Sequence, residues 1–332
     1  MLGKKRFLIL IGLALVLVLA IAGCGGNTSN NSPTASSTST PASVKTEPVK
    51  VVSLVDQVKN TQHYKFFAIQ VAGKEKDANY DYEDTCIKCH SQVAILNDKN
   101  AKIADFFKGG KYENQTEGIT CIVCHKFEGK DMISLRNKGW DSCGVCHTAD
   151  KPVLKLGGEV HHPQLEMMKG VPIEGGTPMP TFKYSNMKDT FSCVDCHITN
   201  SQKHDFMVPG VKATYVPSGI ARTGTTLDYD QFATVFKQEK CVSCHADPKP
   251  TVDKLKAHQE EIGKKLEELR PIFDEWGKKV ETMDKNDPKV KAYNNGKTYF
   301  WYVDADASKG AHNYTLAKDC LQKAEAEFAK LK

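Results

Sequence analysis

Ten of the chain's twelve cysteines stand in five copies of one pattern: CIKCH (86–90), CIVCH (121–125), CGVCH (143–147), CVDCH (193–197) and CVSCH (241–245). At this chain's own Cys and His frequencies, C-x-x-C-H should arise by chance about 0.01 times. Two thiols three residues apart can bond the two vinyl groups of one porphyrin, and the histidine that follows can bind its iron. The spacing therefore predicts five covalent haem c groups. Cys86 with Cys89, Cys121 with Cys124, Cys143 with Cys146, Cys193 with Cys196 and Cys241 with Cys244 are the attachment pairs, and His90, His125, His147, His197 and His245 the proximal iron ligands. Six disulfides, the usual reading of twelve cysteines in an exported chain, leave the five histidines unexplained. Zinc would join motifs in pairs around one ion, and five motifs cannot all pair. A thioredoxin-type C-x-x-C accounts for one motif beside a strand–helix unit and gives no reason for the histidines.

Five six-coordinate irons need five further ligands. Of eleven histidines, those outside the motifs are His63, His161, His162, His204, His258 and His312, one more than the irons require. All six are distal candidates. His161 and His162 are adjacent, and neighbouring side chains point in different directions. They can serve two haems, or one can ligate while the other faces a cavity. Pro163 stiffens the turn that follows. Met167, Met168 and Met207 could also ligate, although thioethers more usually pack on a porphyrin face.

The segments that must position these groups differ in composition. A basic start (Lys4, Lys5, Arg6) precedes an apolar run from Phe7 to Ala22, which reads as a secretory signal over residues 1–23. Ile21-Ala22-Gly23-Cys24 resembles a bacterial lipoprotein box, with Cys24 the lipidated residue. Residues 24–48, rich in Ser, Thr, Asn and Pro, are expected to be a disordered tether. The expected location is outside the cytoplasm, at the outer face of the cytoplasmic membrane, in the periplasm or at the cell surface, held by lipid. Loss of the signal lowers the formal charge from +5 to +2, and 41 of the 45 basic residues are lysines. That is no nucleic-acid footprint.

Residues 49–250 form the expected pentahaem region. Between Cys86 and His245 each haem has about 32 residues, too few for a private domain, so the haems must pack on one another. After Pro250, Val252, Leu255, Ile262, Leu266, Leu269, Phe273, Trp276 and Val280 share one helical face, with a bend expected at Pro271. Asp287-Pro288 opens a second helix and Asn313 precedes a third, on which Cys320 is a small core residue. The fold class is mainly α: a multihaem c-type cytochrome of short helices and loops around packed haems, with a helical region at 251–332 packed on the haem core.

The order of these parts resembles the pentahaem cytochrome c nitrite reductase (ammonia-forming) family, of which this would be a short, divergent member. The resemblance covers roughly Thr85 to Lys332. It rests on CVDCHIT, His204 in QKHDF, CVSCH, and WYVDADASKGAHNYTLAKDC, which is similar to the family's closing W-x-W-D…G-x-H-N-P segment. It implies a distal-ligand role for His312. KLGGEVHHPQLE resembles the family's K-A-Q-H-P-E segment, which implies that His162 lies over the catalytic haem and would be the catalytic residue of a reductase. The family's helices imply a homodimer through the C-terminal region. The chain departs from the family in having His90 where the catalytic haem usually has Lys, in having no mature Arg before Cys86, and in following His147 with Thr148-Ala149-Asp150 instead of V-E-Y-Y. No calcium is expected, since that segment supplies the family's calcium ligands.

The resulting expectation is a membrane-anchored electron-transfer cytochrome, with a reductase of nitrite or a related small oxyanion or N-oxide as the alternative. Expected partners are redox proteins or a membrane quinol-oxidising cytochrome.

Overall fold

Each haem motif that the structure describes winds into about one turn of helix, far below the length at which a helix holds itself in water. A computed structural model describes residues 53–67, 83–129, 132–149, 155–158, 160–174, 191–198, 203–215, 222–234 and 246–332. The signal, Cys24, the tether and the fifth motif, with Cys241, Cys244 and His245, lie outside the described residues. The chain divides into Met1–Lys50 and Val51–Lys332, and every described residue belongs to the second unit.

The elements alternate short helices with two hairpins. α1 (Leu54–Lys59) and α2 (Gln62–Lys65) precede the first motif, and α2 carries His63. α3 (Ile87–His90) holds the first motif and α4 (Gln92–Leu96) follows it, with the Ser91 hydroxyl accepting from the Ala94 amide at 3.4 Å. The second motif forms α5 (Cys121–Cys124) and passes directly into β1 (His125–Glu128), which pairs antiparallel with β2 (Met132–Leu135). α6 (Asp141–Gly144) ends inside the third motif, taking in Cys143, α7 (Gln164–Lys169) follows the double histidine, and α8 (Cys193–His197) is the fourth motif. β3 (Val211–Tyr215) and β4 (Arg222–Leu227) make a second antiparallel pair before α9 (Tyr229–Ala233). Around the first motif Phe67, Ile87, Val93, Ala94, Ile103, Phe106 and Tyr112 form a small core of their own.

Three long helices close the chain: α10 (Lys249–Val280), α11 (Pro288–Asp306) and α12 (Tyr314–Ala329). α10 is about 48 Å long at 1.5 Å per residue. It runs as one helical element through Pro271, with core packing on both sides of the proline. Leu269 is buried, and Ile272 and Phe273 lie against the same core. The caps follow the sequence. Asp287 accepts from the Lys289 amide at 2.7 Å to open α11, and Asn313 accepts from the Leu316 amide at 3.0 Å to open α12.

The apolar stripe of α10 is covered from within the chain. Ile262, Leu266 and Leu269 are buried in the main core with Tyr293, Phe300, Tyr302, Leu316, Leu321 and Phe328, while Val252 and Leu255 pack on Phe232 and its neighbours. Cys320 is fully buried on α12, and burial raises its thiol pKa. Among the described residues no helix is long and apolar enough to cross a membrane.

Candidate haem centres

Two imidazoles bound to opposite faces of one iron, each by a metal–nitrogen bond of about 2 Å, have their ring centres roughly 6 Å apart. Four proximal histidines meet this condition with a histidine from a distant part of the chain. His125 stands 6.2 Å from His204, His197 stands 6.3 Å from His312, and His90 stands 6.1 Å from His162. His147 and His63 are 5.7 Å apart, with their Nε2 atoms facing at 3.4 Å. His162 is also 5.7 Å from His147, but the facing Nε2 atoms single out His63 as its opposite.

The surroundings suit iron binding. Burial first, then the neighbouring His147, His90 and His197, push His63 down to about 3. Burial likewise takes His90 down to about 4, with His161 and His147 adding to it. Both rings are therefore neutral at ordinary pH, the form that binds a metal. Burial also lowers His204. The nine described cysteines, among them both thiols of the first four motifs, are free of disulfides.

The motifs are also adjacent to one another. The Cys143 thiol is hydrogen-bonded to Cys193 and brought down to about 7 by that bond, while Cys146 is bonded to Cys89 and raised by it. Cys124 is pushed up to about 11, mainly by burial and further by Cys143 and Cys121. The third motif thus borders the first, the second and the fourth. Opposed histidines beside paired free thiols fit a covalently held haem at each of these four motifs.

His161 and His162 are not equivalent. His161 is exposed, whereas His162 is half-buried and has a left-handed backbone, φ 51°. A histidine adopts that conformation at some cost, and such positions concentrate at functional sites. Ligand nitrogens of His90, His161 and His162 all lie within 4.8 Å of one another, so both distal rings are close to the position of the first iron.

The C-terminal helices hold this double histidine in place. Thr298 of α11 accepts from the Gly157 amide at 3.0 Å and donates to the Gly158 carbonyl at 3.2 Å. Gln164 donates to the Ala305 carbonyl at 3.0 Å and Tyr302 to the Val171 carbonyl at 2.8 Å. Buried Asn313 donates to the Met167 carbonyl at 3.2 Å. The helices also bring His312 opposite the fourth motif. Sequence reasoning missed Thr298, Gln164 and Asp306. Only their proximity to histidines in the fold reveals them, although Asp306 stands six residues before His312.

The remaining site residues are placed as follows. His258, on α10, stacks on Tyr314 with ring centres 3.6 Å apart. It faces none of the four described proximal histidines at ligand spacing, and His245 is outside the described residues. Met167 is fully buried in the main core, a packing role.

No protein-family model matches the chain, and no curated protein matches it. Among solved structures, the chain has the fold of multihaem cytochromes. The outer cell wall cytochrome OcwA aligns with a TM-score of 0.55 and 24% identity over 83% of this chain and 50% of that one. An undecahaem cytochrome from the S-layer of Carboxydothermus ferrireducens aligns with a TM-score of 0.50 and 23% identity over 82% and 41%. The chain therefore spans half or less of the length of these neighbours. The resemblance to the nitrite reductase family gains no support from these matches.

Proposed function

We propose that the chain is an exported pentahaem c-type cytochrome that carries electrons through packed, bis-histidine haems. The observation that carries this reading is the set of four histidine pairs at ligand spacing, each built from one motif histidine and one remote histidine. Bound haem supplies a one-electron iron couple. The chain supplies the rest. Cys86 and Cys89 with His90 and His162 hold the first group, Cys121 and Cys124 with His125 and His204 the second, Cys143 and Cys146 with His147 and His63 the third, and Cys193 and Cys196 with His197 and His312 the fourth. Cys241, Cys244 and His245 hold the fifth, with His258 or His161 left to face it. A redox protein or a membrane quinol-oxidising cytochrome is the proposed partner, and lipid on Cys24 the proposed anchor. Neighbours from a cell wall and an S-layer support an extracytoplasmic location.

One observation favours the alternative, an ammonia-forming reductase: exposed His161 stands beside His162 at the first haem. Reduction of nitrite needs an open iron and a clamp for the anion. The family's Arg and Tyr are absent from their positions, so Lys155 and Lys169 would have to serve. The spectrum of the oxidised holoprotein separates the two readings. Electron transfer predicts that every haem is low-spin, that nitrite leaves the spectrum unchanged, and that His162→Ala, but not His161→Ala, creates one high-spin haem. A high-spin haem in the unmutated protein that binds nitrite, with ammonium formed from a reduced dye, would establish the reductase.

A further inference from the structure

The second nitrogens of the paired histidines are treated very differently from one centre to the next. At the fourth motif both have acceptors. His197 Nδ1 lies 3.1 Å from the Phe206 carbonyl oxygen, and His312 Nδ1 lies 2.6 Å from the Asp306 carboxylate. The Asp306 side chain is 1% exposed, and its other oxygen accepts from the Ser308 hydroxyl and, at 3.3 Å, from the Ser308 amide. At the third motif His147 Nδ1 lies 3.3 Å from the neutral amide oxygen of Gln164. At the second motif the Nδ1 atoms of His125 and His204 are both buried with no partner.

A carboxylate at Nδ1 fixes the tautomer, because it can only accept. The His312 proton sits on Nδ1 and the Nε2 lone pair is left for iron. Accepting that proton also makes the imidazole a stronger donor to the metal, and a buried negative charge favours the more positive ferric state over the ferrous one. A carbonyl does this weakly, an amide similarly, and an unpartnered nitrogen not at all.

We propose that Asp306 is a positioning residue that lowers the reduction potential of the haem of Cys193, Cys196, His197 and His312. This rests on the haem reading above and goes beyond it, since five identical motifs by themselves give no order of potentials. The difference comes from residues that belong to no motif: Asp306 at the end of α11 and Ser308 just after it.

The test is a spectroelectrochemical titration of the full-length holoprotein and its variants. Asp306→Asn should move one transition upward by about tenfold in that haem's redox equilibrium, about 59 mV for one electron, with all haems still attached and low-spin. Ser308→Ala removes a donor from the carboxylate, strengthens its pull on His312 and should move the same transition downward. A fully loaded Asp306→Asn protein in which no transition moves upward overturns the proposal. If that variant does not accumulate, an unmoved transition in Ser308→Ala overturns it equally. Loss of haem from the unmutated protein would instead overturn the haem reading itself.

Discussion

His63→Ala is expected to turn one haem in five from low-spin to high-spin. The Nε2 of His63 faces that of His147 at 3.4 Å, and burial with three neighbouring histidines keeps it neutral. In the proposed centre the removed imidazole would leave a hole beside a haem attached through Cys143 and Cys146 and ligated by His147, and alanine offers no donor to fill it. Electron paramagnetic resonance of the oxidised variant should show a high-spin ferric signal equivalent to one haem, and added imidazole should abolish it by occupying the hole. The third motif borders three others, so this variant should also slow reduction of the whole chain by a low-potential dye. A wholly low-spin variant would show that His63 is no ligand, or that His162, 5.7 Å from His147, has replaced it.

Phe328→Ala is expected to destabilise the protein by about 3–5 kcal/mol, the range for deleting a buried aromatic ring. Phe328 is 1% exposed and lies in the main core, its ring set against Gly296 of α11 so closely that a methyl group there would collide with it. α11 and α12 hold His312, Asp306 and the contacts that clamp residues 157–171. Loosening them should therefore release the fourth distal ligand as well as lower stability. Urea unfolding followed by far-ultraviolet circular dichroism reads the first effect, and the spin state of the partly denatured protein reads the second. A change below about 1 kcal/mol would mean that attached haems, not helix packing, hold this region.

What could be read from the sequence follows the range of the physics involved. C-x-x-C-H is legible because both thioethers and the proximal ligand must reach one porphyrin, a constraint that spans five residues. The caps at Asp287 and Asn313 and the stripe from Val252 to Val280 are legible because helix periodicity is local. Pairing is not. His63 and His147 are 84 residues apart, and His204 opposes the second motif although it follows the fourth. Nothing in the spacing of six free histidines specifies these partners. The adjacent His161 and His162 look interchangeable in the sequence, whereas a left-handed backbone at His162 turns one ring inward and leaves the other exposed. Asp306 is one of 40 acidic residues in the chain, and only burial against His312 marks it.

The most direct test is the intact mass of the purified protein after acid denaturation, which strips any group not covalently bound. Five complete motifs predict the polypeptide plus five haems, with no thiol among the ten motif cysteines open to alkylation. The same spectrum reads lipid on Cys24 as an added mass on a chain that begins there. Fewer than five haems, with alkylatable motif thiols or zinc recovered in their place, would contradict the account.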